Sequence, residues 1–256
     1  MSPGSDVEED ITSPVRSSVA WIAGVGPTQG LGAALGRRFG RTGRIVFLTG
    51  RTPDRLAEVA AQIEAAGGRA ATAPGDLTDS AFIARTVETI RRVGRLDVAV
   101  FNAGGNRWKP TLEMEDAFFE DVWRACCWSG FLFGRETARA MLMQGGGTLL
   151  FTGASASLRG RPQFTAFAAA KAGLRMVSQS MARELGPLGL HVAHVLIDGL
   201  IDGDRAREVA SDVVTSKGSD GLLDPDAIAE VYAQIHAQPR STWTLEMDLR
   251  PFIEPF

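Results

Sequence analysis

The residues best placed to do chemistry begin with a loop, Gly24-Val25-Gly26-Pro27-Thr28-Gln29-Gly30-Leu31-Gly32, set between an apolar run and an amphipathic one. Gly26, Gly30 and Gly32 are spaced G-x3-G-x-G. Glycines let the backbone turn tightly and approach a pyrophosphate, whose charge then sits on the free N–H groups of a helix N-terminus. The loop predicts a nucleotide cradle; the bland reading is a glycine-rich turn with no ligand. The next apolar run ends at Gly50-Arg51-Thr52. An NAD(H) site usually places a carboxylate here, about 20 residues past the glycines, to hold the ribose hydroxyls. This chain offers Arg51 instead, and a guanidinium suits a 2′-phosphate. The expected cofactor is therefore NADP(H) in preference to NAD(H), unless Arg51 is simply a solvated loop charge.

Such residues need a frame. Short apolar runs at 18–25, 44–49, 69–73, 96–101, 148–152, 191–197 and 242–249 read as strands. Helical patterns at 31–41, 54–66, 80–93, 114–143, 164–185 and 225–237 alternate with them. Repeated strand–helix–strand units predict an α/β, Rossmann-type, doubly wound parallel sheet in one domain over residues 18–256. Residues 1–17, polar and acidic, read as a flexible arm without the pattern of a signal peptide. The segment 200–223 breaks the alternation, as either a lid or a disordered surface loop near the ligand end of the sheet.

Composition excludes several classes. The 256 residues carry 27 Lys and Arg against 30 Asp and Glu, a net charge of -3 with signs interspersed. No basic stripe is present for nucleic acid, and the apolar runs are too short for a membrane span. Cys126 and Cys127 are adjacent, and His191, His194 and His236 are not grouped for a metal, so no metal site is expected. His191 and His194 lie three positions apart, on opposite faces of a strand, which prevents them from acting as a pair. A reducing, cytoplasmic setting is the default for such a chain.

The glycine loop, Asp76-Leu77 after the third strand, Asn102-Ala103-Gly104 after the fourth and Lys171 on a later helix together resemble the short-chain dehydrogenase/reductase family. The likeness spans about residues 18–249. It implies a seven-stranded sheet, with Thr28, Gln29, Leu31 and the loop glycines around the cofactor phosphates and Asp76 and Leu77 by the adenine. Asn102, Ala103 and Gly104 would line the cofactor, Lys171 would bind the nicotinamide ribose, and Gly199 would follow the sixth strand at the site. It also implies a homodimer or homotetramer through the two long helices, an expectation that a monomeric mass in solution would remove.

The departures concern catalysis. The family carries Tyr-x-x-x-Lys, two side chains on one helical face, in which tyrosine protonates the substrate oxygen. Here Phe167 precedes Lys171, and the single tyrosine, Tyr232, is far along the chain. The family's serine position is Ala154, with Ser155 beside it, and the helix asparagine falls near Cys126 with the register set at Phe131. Asp198-Gly199 replaces a proline–glycine pair and carries one extra residue. Positioned acid catalysis is worth roughly 10²–10⁴-fold, so ordinary ketone reduction should be impaired. Ser155, Ser157, Cys126 and Asp198 are candidate substitute acids, the last only if burial raises its pKa. Arg159 and Arg161 could meet an anionic substrate or be solvated, and Trp108, Phe118, Phe119, Trp123, Trp128, Phe164 and Phe167 could line an apolar pocket or pack as core. Three readings stay open. The chain is a redox enzyme acting on an apolar carbonyl- or imine-type small molecule, a non-redox enzyme on the same fold, or a catalytically silent nucleotide binder.

Overall fold

The computed structural model describes residues 17–254. The expected arm at 1–17 falls, but for its last residue, outside the described residues. Each of the seven apolar runs forms a strand: β1 (Ser18–Ala23), β2 (Ile45–Thr49), β3 (Arg69–Thr72), β4 (Arg95–Phe101), β5 (Gly147–Thr152), β6 (Leu190–Ile197) and, at the far edge, Glu246–Leu249. They make one parallel sheet in which β3, β2, β1, β4, β5, β6 and the edge strand lie in that spatial order. The central strands are apolar at nearly every position because helices cover both faces. On one face pack α1 (Leu31–Gly40), α2 (Pro53–Ala65) and the late helix Pro225–His236, through Leu35, Phe39, Leu56, Ile63 and Tyr232. On the other pack α3 (Ser80–Val93) and the helices that follow β4 and β5, through Ile83, Phe133, Phe151 and Leu174.

Strand order reverses between β1 and β4. In such sheets ligands bind outside the carboxyl ends of the strands at the switch point. The register pairs Ala23 with both Thr49 and Phe101, and Phe101 with Phe151. Gly24, Gly50, Asn102 and Thr152 are therefore delivered side by side along one rim. Trp21, fully buried, donates from Nε1 to the Thr49 hydroxyl at 2.9 Å and lies 4.5 Å, centroid to centroid, from Phe133. Burying a side chain of this size contributes roughly 1.5–3 kcal/mol.

Two expectations on the helices and loops need correcting. The single helix expected over 114–143 is α4 (Asp116–Trp123), one π-helical stretch (Arg124–Trp128) and α5 (Ser129–Met143). A π turn takes up one extra residue and is invisible to a 3.6-residue periodicity. The segment 200–223 is not a disordered loop. It folds as β7 (Leu200–Ile201), α7 (Asp204–Val209), α8 (Ser211–Lys217) and β8 (Leu222–Leu223), after α6 (Thr165–Leu185) and β6 and before α9 (Pro225–His236). Two apolar pairs do this, Leu200 opposite Leu222 and Ile201 opposite Leu223 in a separate two-stranded sheet, too short to signal a strand in sequence. The closing strand, β9 (Glu246–Leu249), completes the main sheet beside β6 as expected, although shorter than its apolar run. Among the described residues no helix is long and apolar enough to cross a membrane.

Tyr232 of α9 is fully buried and shares a 2.8 Å hydrogen bond with the Thr152 hydroxyl at the end of β5. Tyr232→Phe leaves that hydroxyl without its partner, a loss of about 1 kcal/mol. In a domain of this size the thermal midpoint should fall by about 2–4 °C. A calorimetric scan checks this, and an unchanged midpoint would rule out a structural use for the bond.

Candidate functional site

The cradle is built by close backbone approach. Gly24 has φ +97°, and its N–H and that of Val25 both donate to the Thr49 carbonyl at 2.9 Å. A Cβ on Gly32 would stand 2.6 Å from the Gly24 carbonyl oxygen, so α1 begins that near β1 only because position 32 has no side chain. Asn102 ties the rim together, its Nδ2 donating to the Gly24 carbonyl at 3.0 Å and its backbone N–H to Ala23 at 2.7 Å. Gly26 faces open space, with no atom within 4 Å of where a Cβ would stand. Gly30 caps α1 with no side-chain acceptor and no acidic residue in the first turn. The Gln29 N–H already holds an anion, the Asp204 carboxylate, at 3.1 Å. These features fit a bound dinucleotide: open room, uncapped donors and an amide that takes negative charge.

Around the cradle, Arg51 is exposed just past β2. Asp76 is exposed past β3, where its carboxylate accepts from the Thr78 N–H at 2.8 Å, and Leu77 beside it is buried. Gly199 lies directly after β6. A Cβ there would stand 2.8 Å from Pro251 Cδ, so its glycine (φ +159°) answers to the C-terminal tail.

Lys171 lies under the next part of the rim. It is buried, and Nζ donates to the Thr152 carbonyl at 2.8 Å. Burial pushes its pKa down, opposed by the nearby Cys126 sulfur. Gly104, at φ +135°, passes so close that a Cβ would stand 3.0 Å from Cys126 Sγ and 3.6 Å from Lys171 Nζ. Cys126 sits in the π-helical stretch, a device that often re-aims side chains at functional sites. Phe167, 8% exposed, occupies the tyrosine position one turn before Lys171, its ring centroid 5.9 Å from Nζ. It packs with Val122, Cys126, Cys127 and Ala170 and has no proton to offer.

Three proposed acids are otherwise engaged. Asp198 is 0% exposed, yet its pKa is held below the ordinary carboxylate value. Burial pushes its pKa up, but hydrogen bonds from Ser155 and Arg159, with the charges of Arg159 and Arg250, more than reverse this. Arg159, its side chain 32% exposed, donates to both carboxylate oxygens at 2.9 and 3.0 Å. Ser155 serves this ion pair, while Ser157 accepts from the Ala154 N–H at 3.2 Å and lies 3.4 Å from His194 Nε2. Of the four candidates, Cys126 is the one kept beside Lys171. His191 stacks on Trp243 and bonds the Thr244 carbonyl at 3.0 Å, on the opposite face from His194.

The aromatic residues divide. Phe118, Phe164 and Phe167 pack in one small cluster and Trp128 against the main core. Trp108, 52% exposed, stacks on Phe164 at 6.2 Å, and the Arg107 guanidinium lies 4.4 Å above the Phe118 ring. Gln163, beside this aromatic surface, has φ +71°. Its strain had no sequence signal, nor had the packing of Gly203, Asp204 and Arg205 over the cradle, because their partners are distant in the chain.

The chain matches the model of the short chain dehydrogenase family over residues 19–213. It is 30% identical over 238 residues to the short-chain reductase protein NovJ of Streptomyces niveus, covering 88% of this chain and 89% of that one. Among solved structures it superposes on a short-chain dehydrogenase from Rhodopseudomonas palustris at a TM-score of 0.79 and 40% identity, covering 93% of this chain and 100% of that one. A metagenomic short-chain oxidoreductase in complex with NADP superposes at 0.77 and 27% identity, over 94% and 99%.

His194 offers a pH test. Desolvation, and then the charge of Lys171, lower its pKa from 6.5 to about 4. The unfolded chain therefore takes up the proton first, so this stability is present above pH 6.5 and is lost as pH falls toward 4. Between pH 7 and pH 5 the loss from His194 is about 2 kcal/mol. Urea unfolding at the two pH values should show it, and His194→Gln should flatten the decline.

Proposed function

The chain belongs to the short chain dehydrogenase family, and from that premise we propose that it is an oxidoreductase that binds NADP(H) in preference to NAD(H) and acts on a small, apolar, already polarised acceptor such as an iminium ion. One observation carries the reading. The cradle and Lys171 are kept intact around Phe167, while Asp198 and the two nearby serines are engaged elsewhere. When bound, the cofactor supplies a hydride. An iminium acceptor would be left a neutral amine and would need no proton from the chain's own residues. The chain's own part is positioning. Gly24, Gly26, Gly30 and Gly32 with the α1 N-terminus would hold the pyrophosphate, Arg51 would meet the 2′-phosphate, and Lys171 would hold the nicotinamide ribose. Trp108, Phe164 and Phe167 would present an apolar wall to the substrate.

A catalytically silent binder is the second reading, favoured by Ala154, Cys126 and Phe167 standing together where a serine, an asparagine and a tyrosine usually act. Nucleotide fluorescence with NADPH and with NADH separates the outcomes. Saturable binding, tighter for NADPH, is expected. Arg51→Asp should reverse the preference by roughly tenfold or more through loss of a charge-assisted contact and gain of repulsion. No binding of either at millimolar nucleotide sinks the oxidoreductase reading.

The missing acid is tested by restoring it. Phe167→Tyr places a hydroxyl beside Lys171, whose positive charge favours the phenolate and so makes the tyrosine a better acid. Reduction of simple ketones should rise by about 10²-fold or more, while reduction of iminium substrates stays near the parent's rate. Equal gains on both would show that the parent site lacks something other than the acid.

A further inference from the structure

Where the chain returns after β6 it lies directly on the cradle. Gly203 is buried there, and a Cβ would stand 2.6 Å from the Gln29 carbonyl oxygen, so the two backbones meet only because that residue is glycine. The next residue, Asp204, accepts a hydrogen bond from the Gln29 N–H at 3.1 Å. Arg205 follows, with Nη2 3.3 Å from where a Cβ on Gly105 would stand, so three consecutive residues bridge the loop after β1 and the loop after β4. The bridge is held from behind by the β7–β8 pairing and by the Asp202 N–H, which donates to the Leu223 carbonyl at 2.8 Å.

A carboxylate on a cradle amide puts negative charge where a phosphate oxygen would sit, and one N–H cannot serve both. Two anions at that spot also repel each other. We propose that residues 203–205 are a strap that competes with the nucleotide for the cradle, and that Asp204, by occupying the Gln29 N–H, sets the cofactor affinity of this chain. Binding then requires the strap to lift, and the apparent dissociation constant is raised by the fraction of molecules in which it is down. The proposal rests on residues 24–32 being a dinucleotide cradle.

Three variants test it by different routes. Asp204→Asn keeps the shape and removes the charge, Asp204→Ala removes the acceptor, and Gly203→Ala crowds Gln29 and lifts the segment. Each should tighten NADPH, read by nucleotide fluorescence, by roughly tenfold. Adenosine 2′-monophosphate has no pyrophosphate for the cradle, and its affinity should stay the same in parent and variants. Unchanged or weaker NADPH binding in all three overturns the proposal, as does equal tightening of the monophosphate. If the variants bind NADPH and the parent does not, both the cradle and the strap stand, while the oxidoreductase reading of the parent falls. If neither parent nor variants bind any nicotinamide nucleotide at millimolar concentration, the cradle reading itself fails and the strap has nothing to compete with.

Discussion

At the carboxyl ends of β1, β2 and β4 the main chain comes together more closely than residues with side chains allow. Gly24 turns with positive φ against Ala103, Gly32 starts α1 against the Gly24 carbonyl, and Gly50 backs onto Val25. Everything the site offers follows from this contact. It aims the first turn of α1 at the switch point with its N–H groups unspent, brings Asn102 into reach of Gly24, and leaves an open face at Gly26. The parallel sheet supplies the rigidity, since helices on both faces bury its central strands and hold the loops against one another.

Beyond the cradle, a buried carboxylate group stands at the end of β6. Asp198 is buried, a position that by itself would favour a neutral carboxyl. Arg159, Arg250 and Ser155 turn it into a fixed carboxylate that ties the loop after β5 to the end of β6 and to the tail. Removing one partner of such a buried pair leaves an uncompensated charge, so the arrangement is far better suited to holding loops in place than to giving up a proton. Lys171 in turn has a backbone carbonyl and the Cys126 thiol for neighbours, with a phenyl ring in place of a phenol. Phe167 fills its apolar cluster with a ring that carries no hydroxyl.

The segment after β6 connects these two regions. Its first residues run from Asp198 past the tail at Gly199 and Pro251, its short strands fasten it to Leu222 and Leu223, and its helix begins on the Gln29 amide. One stretch of chain thus touches the ion pair, the C-terminal tail and the nucleotide loop, which couples access to the cradle with the packing of the rim.

Much of this was written locally. The seven strands, the glycine spacing, the arginine past β2 and the replacement of tyrosine by Phe167 could be read from the chain alone, because each depends on neighbours a few residues away: a run of apolar side chains, a missing Cβ, an i, i+4 pair. What stayed hidden depends on partners brought together only by the sheet. Asp198 meets Arg159 across 39 residues, the Gln29 amide meets Asp204 across 175, and Cys126, in a π turn, lies against Gly104. The fold, and the phenylalanine four residues before Lys171, are matters of residue type and period and so are legible along the chain. Which polar groups are spent on one another depends on the folded chain, because hydrogen bonds and charges are satisfied by whatever the fold places within about 3 Å.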